Sequence, residues 1–231
     1  MDVIRINSKY DIIKHPETLY HLILGDNFNQ TIDNLPVSTR IISCGHDFNQ
    51  IIDKLPPFLH TLSTGHNFNQ TIDHLPLSLQ YLKLGYKFNE QVDNLPLSIT
   101  TIIFGNKFNQ TIKTWPTALM HIKFGFCYNK VIDNWPALLR SLILGCHYNQ
   151  LLYNLPDLLQ EITFGRKYGR TFYTIKFPNS LSIIYDYSCK ITYTNLIQVP
   201  QALNKIIHVS MGEFSVVYER PALNHIKMAR R

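Results

Sequence analysis

This 231-residue chain has few alanines and no long apolar runs. Five alanines stand against 27 isoleucines, a bias away from the best helix former and towards strand formers that argues against a helical bundle. No uninterrupted apolar stretch approaches the length needed to cross a bilayer. Charged residues are only 16% of the chain. The 45% apolar content is nevertheless enough for a continuous core, so disorder is excluded. Four cysteines, Cys44, Cys127, Cys146 and Cys189, would form a disulfide framework only in an exported protein, and the charged start Met1 to Lys9 has no signal-peptide character. The expected compartment is a reducing cytosol.

What is abundant is repetition. Glycine recurs at Gly25, Gly45, Gly65, Gly85, Gly105, Gly125, Gly145 and Gly165, leaving only Gly169 and Gly212 outside the series. Three residues after each comes an aromatic, Phe28, Phe48, Phe68, Phe88 and Phe108, then Tyr128, Tyr148 and Tyr168. Asparagine follows at Asn29, Asn49, Asn69, Asn89, Asn109, Asn129 and Asn149, and each repeat closes on Leu-Pro or Trp-Pro. A fixed period of this length is the signature of a solenoid. Between Pro and Gly the apolar residues alternate, as in Leu82-Lys83-Leu84, which reads as a short half-buried strand. Glycine then marks a turn where a side chain would obstruct either a positive φ or a close backbone approach. A Pro in every turn leaves no room for a helix.

The expectation is an all-β, right-handed, leucine-rich-repeat-like β-solenoid of about twenty residues per coil, with short strands on one face and extended segments on the other. Residues 1–15 form an N-terminal cap using Val3, Ile4, Ile6, Tyr10, Ile12 and Ile13. Residues 16–169 are regular repeats, and 170–231 are degenerate coils and a basic C-terminal cap, with Pro178, Pro200 and Pro221 keeping the rhythm. Counting each Pro as one coil gives about eleven. A separate small domain from about residue 170 is the alternative. One coil alone cannot offset the backbone entropy of its residues, so stacking is obligatory.

The unit seen at Leu75 to Asp93, LPLSLQYLKLGYKFNEQVD, closely resembles the FNIP repeat, over roughly residues 16 to 165. That repeat occurs chiefly in social amoebae and giant DNA viruses and is regarded as similar to leucine-rich repeats. Members often carry an F-box that ties them to a ubiquitin ligase. Only about fifteen residues precede the first repeat here, too few for one, so a ligase role would need a second chain.

Several rows invite a functional reading. The Asn29 to Asn149 row is expected to be a structural ladder satisfying backbone groups at a corner. Asp33, Asp53, Asp73, Asp93 and Asp133 read as turn residues, with Lys113 and Tyr153 interrupting the row. Cys127, Cys146 and His147 fall in adjacent coils but offer no fourth ligand and no C-x-x-C pair, so no metal is assigned. His46 and His66 read as a surface stripe. The sequons at Asn29, Asn69 and Asn109 are by-products of the repeat. No nucleophile motif or phosphate loop is present, so no catalytic residue and no cofactor is assigned and the chain is read as non-enzymatic.

Function then lies in the variable outward positions: Tyr20, His21, Arg40, Ile41, His60, Tyr81, Lys83, Ile103, Met120, His121, Lys123, Arg140 and Ile143. Exposed aromatic, aliphatic and Arg side chains on a rigid scaffold suit a protein partner, a host protein if the chain is viral. Two alternatives stand beside this reading. One is the substrate-recognition half of a ubiquitin ligase. The other is nucleic-acid or acidic-surface binding by the C-terminal end, where residues 159–231 hold ten Lys/Arg against four Asp/Glu and Tyr168, Phe172 and Tyr173 could stack on bases.

Overall fold

The computed structural model describes residues 2–8, 17–170, 174–188, 190, 196, 200–210 and 213–219. Its twelve strands form one sheet in simple sequence order. These are β1 (Asp2–Ile6), β2 (Leu19–Leu24), β3 (Ile41–Ser43), β4 (Thr61–Ser63), β5 (Tyr81–Lys83), β6 (Thr101–Ile103), β7 (His121–Lys123), β8 (Ser141–Ile143), β9 (Glu161–Phe164), β10 (Ile183–Asp186), β11 (Lys205–Ser210) and β12 (Glu213–Glu219). From β1 to β11 every neighbouring pair is parallel, and Thr61, Tyr81, Thr101, His121 and Ser141 sit in one register row. No helix among the described residues is long and apolar enough to cross a membrane.

Each coil is closed by turns that the sequence spells out. The Pro carbonyl accepts from the amide three residues on, as Pro76 does from Leu79 at 3.0 Å, and the Gly carbonyl does the same for the aromatic, as Gly145 does for Tyr148 at 3.1 Å. The corner before Leu-Pro carries the two non-glycine residues with positive φ among the described residues, Asn34 (64°) and Asn154 (49°), a conformation that Asn tolerates better than most residues. None of the eight series glycines has a left-handed φ; close approach is what selects them. A Cβ on Gly105 would lie 1.7 Å from the Gly85 carbonyl oxygen, and the other coil-to-coil glycines meet the same atom at 1.6 to 2.1 Å.

Inside, one row of side chains stacks per repeat position. The central strand residues Leu22, Ile42, Leu62, Leu82, Ile102 and Leu142 are wholly buried. The aromatic row from Phe28 to Tyr168 runs the length of the regular coils with ring centroids 5.7 to 6.4 Å apart and planes within 20° of parallel, the offset stacking that the ring quadrupole favours. The Tyr128 and Tyr148 hydroxyls are buried with no hydrogen-bond partner. Burial raises the pKa of Tyr128, Tyr148 and Tyr168, with the neighbouring Tyr128 and Tyr168 adding to it at Tyr148 and Arg170 opposing it at Tyr168.

The asparagines bridge the coils. Asn29 Oδ1 accepts from the Asn49 amide at 2.9 Å, and the relation repeats through Asn69, Asn89, Asn109, Asn129 and Asn149 at 2.7 to 2.9 Å, ending on the Gly169 amide. Serines do the same at the Pro corner, where Ser78 Oγ donates to the Leu59 carbonyl and Ser98 Oγ to that of Leu79, both at 2.7 Å.

At the ends, β1 adds Ile6 to the core while Val3 stays exposed; Tyr10, Ile12 and Ile13 lie outside the described residues. Strands β10 and β11 continue the parallel stack, but β12 folds back antiparallel on β11, so after Ser210 the parallel succession gives way to a hairpin. Pro16 and Pro221, the first and last markers of the coil count, also lie outside the described residues.

Three measurements check this account. Gly105→Ala should cost at least about 3 kcal/mol, because the obstruction is backbone and cannot swing aside. Gly169→Ala, whose Cβ would meet nothing closer than 3.5 Å, should stay within about 0.5 kcal/mol in the same urea titration. Asn89→Ala leaves the Asn109 amide without its acceptor and should cost about 1–3 kcal/mol, with Asn89→Asp recovering most of it. Finally, the Tyr128 and Tyr148 hydroxyls ionise near 10 in the unfolded chain and higher in the folded one. Their contribution is therefore constant below pH 10 and lost as pH rises beyond it, where the unfolded state releases protons that the folded state keeps. Tyr148→Phe should raise Tm at neutral pH and flatten the alkaline fall in a pH series of thermal melts.

Candidate binding groove

The outward positions of each strand fall in two rows. Ile41, Tyr81 and His121, which open their strands, His21, which pairs with Ile41 from within β2, and the residues that precede these positions in the repeat, Tyr20, Arg40, His60, Met120 and Arg140, occupy the N-terminal side of the face. The last residues, Lys83, Ile103, Lys123 and Ile143, occupy the other side. All are exposed or half-buried, because the strand pleat sends only the central residue into the core.

The structure uses part of the first row internally. Arg40 donates from Nη1 to the Val37 carbonyl at 2.7 Å and lies 5.3 Å over the Phe58 ring. The His21 ring nitrogen Nε2 is 3.2 Å from Ser43 Oγ in the next coil.

The second row is where a site forms. Immediately after each glycine the chain turns outward, placing His66, Tyr86, Phe126, Cys146 and Arg166 opposite the strand ends. Between the two rows runs an open groove in two contiguous stretches of about 530 and 650 Å³, sharing Lys123, Phe126, Ile143, Leu144 and Cys146. Its far end is walled by Tyr185, Tyr187 and Phe214, the last supplied by the β12 hairpin. Tyr86, Phe126, Tyr187 and Phe214 are all exposed. Lys83, Lys123 and Arg166 bring positive charge, and among the described residues no Asp or Glu lines either stretch.

The expected contact face contains no residue of the post-glycine row, of which His46 and His66 read only as a surface stripe. Its signal in the sequence was available: this position varies from coil to coil as freely as the strand positions do. His46, His66 and Tyr86 stack with centroids 4.5 and 4.6 Å apart, so the stripe is a continuous aromatic edge leading into the groove.

Other candidate rows find plain structural partners. Lys113, the interruption in the Asp row, pairs with Asp93 at 2.9 Å, and Asn94 donates to Asp73 at 3.1 Å. The His147 ring packs on Phe126 at 4.2 Å, and no group of three or more His, Cys, Asp or Glu among the described residues is arranged to hold a metal ion. Cys44 packs against the core, and burial pushes its thiol up to about 12, which makes it a poor nucleophile. For base stacking at the C-terminal end, Tyr168 is unavailable. Its ring is wholly buried in the aromatic row, because it follows Gly165 at the spacing that points inward. Phe172 and Tyr173 lie outside the described residues, and Lys205 is paired with Glu219 at 2.9 Å.

Comparison with known proteins agrees with this architecture. The FNIP repeat model matches residues 48–87 and 68–107. Among solved structures, CroV588, from the giant virus CroV and described as a novel circular LRR protein, is similar with a TM-score of 0.73 and 35% identity over 82% of this chain. The chain spans 30% of the length of that protein. No curated protein matches the sequence. With its glycine, aromatic-asparagine and proline rows stacked in register, the chain carries FNIP repeats, matched over residues 48–107, and is built as a leucine-rich-repeat-like β-solenoid.

Proposed function

We propose that the chain is a non-enzymatic scaffold that holds a protein partner along its outward strand face and the groove beside it. The observation that carries this reading is the contrast between rows. Inward positions repeat nearly the same residue in coil after coil, whereas the outward rows change from His to Ile, Thr, Tyr and Ser along β2 to β8. A rigid frame with a free-standing variable face is the arrangement on which solenoids build extended binding surfaces. The exposed aromatics and cations of that face are the residue types that dominate interface energies. Similarity to a giant-virus protein supports a host protein as the partner.

A crosslinking pull-down from host lysate tests the reading. Tyr81→Ala combined with His121→Ala should remove a reproducible set of captured proteins, while Thr31→Ala and Lys54→Ala at the opposite corner should leave it intact. A captured set that is the same for both pairs would overturn the assignment of the strand face.

A further inference from the structure

We infer that the groove beside the strand ends accommodates an acidic peptide in the polyproline II conformation, with a carboxylate at every third residue. This deepens the scaffold reading, on which it rests, by naming the form of the partner segment. Its basis is a two-coil pattern that the twenty-residue repeat does not require. Strand-end positions run Lys83, Ile103, Lys123, Ile143, and post-glycine positions run Tyr86, Asn106, Phe126, Cys146. Coils that bring a cation therefore also bring an aromatic ring, and an isoleucine separates them.

Charge and exposure point the same way. Lys83 and Lys123 are exposed and form no ion pair with any described residue, and no carboxylate lines the groove between them. Tyr86 is 40% and Phe126 45% exposed; His66 stacks on Tyr86, Lys107 Nζ lies 5.9 Å from its centroid and His147 packs on Phe126, so each ring offers its uncovered part to an apolar or proline side chain. An anion recurring at the spacing of the lysines would neutralise both.

Spacing selects the conformation. Hydrogen-bonded strands lie about 4.8 Å apart, so equivalent sites two coils apart recur at about 9.6 Å. A polyproline II helix has three residues per turn and rises about 3.1 Å per residue, so every third side chain faces the same way at about 9.3 Å. An extended β-peptide fails this test. Its same-facing side chains recur at about 6.8 or 13.5 Å, and residues three apart face opposite sides. The groove also crosses the strand ends rather than following a sheet edge, so it offers no ladder for a β-strand to join. Polyproline II needs none, and aromatic-lined grooves are its usual hosts.

Fluorescence anisotropy on the full chain tests the proposal with fluorescein-labelled peptides. A repeated Pro-Pro-Glu peptide should bind about three- to tenfold more tightly than a peptide of the same composition with its Glu grouped at one end, and its affinity should fall with salt. A repeated Pro-Pro-Lys peptide should not bind. Lys83→Glu with Lys123→Glu should lose about tenfold or more for Pro-Pro-Glu and gain binding of Pro-Pro-Lys, a reversal that an unfolded variant could not show. Tyr86→Ala with Phe126→Ala should weaken binding while leaving the salt dependence unchanged. Equal affinity for the grouped peptide, or indifference to the charge reversal, would overturn the proposal. So would a single-stranded oligonucleotide of equal charge that binds more tightly and is lost on the same reversal. If the peptides fail while Tyr81→Ala and His121→Ala still abolish partner capture, the scaffold stands and this occupant is wrong.

Discussion

The column of glycine backbones sets the terms for everything else in this molecule. At that corner successive coils approach until a Cβ on one would overlap the carbonyl oxygen of the one before. No side chain larger than hydrogen fits. Once the coils are locked there, the asparagine amides four residues later are brought within hydrogen-bond reach of the next backbone, and the aromatic rings settle into offset stacks. A repeat of nineteen or twenty-one residues in the middle would put every one of these rows out of step. The degenerate spacing appears only where the glycine series has ended, from Pro178 onwards.

A fully committed interior frees the exterior. Strand, ring, asparagine and serine rows make their contacts in the neighbouring coil, so the fold draws on only a few outward side chains, such as His21 and Arg40. The few departures inside show how tightly the rest is constrained. Thr64 replaces an apolar residue, and its Oγ1 accepts from the Gly85 amide at 2.8 Å, a polar atom admitted because a partner stands ready. The Tyr128 and Tyr148 hydroxyls have no such partner, and the cost of burying them falls on stability. Outside, by contrast, Lys, Ile, Thr, His and Tyr succeed one another on the same register positions with nothing in the core to select them.

How much was legible depended on whether a feature repeats. The solenoid, its strand positions and its turns could be read from Gly25 to Gly165 and Pro36 to Pro156 because each row needs the same chemistry in every coil. The reason for the glycines was only half legible: sequence offered left-handed backbone or close approach, and the structure selects close approach. Features that occur once were not legible. The reversal of β12 onto β11 breaks the period, so no neighbouring coil announces it. Lys113 read as an interruption of the Asp row, yet it answers Asp93 in the previous coil. Tyr168 reads as a stacking surface because Arg166, Lys167 and Arg170 flank it in sequence, yet its ring is buried in the aromatic row.

By itself the sequence determined the repeat length, the inward rows and the near-absence of helix, because periodicity and side-chain size are properties of the chain read in order. Only the tertiary structure decided which outward residues share a surface. Lys83, Tyr86, Lys123 and Phe126 belong to two coils separated by a third, and they line one groove because strand ends and post-glycine turns converge there. That convergence depends on the angle at which each coil turns past its glycine. The angle is set by backbone packing against the coil below, and no single repeat contains it.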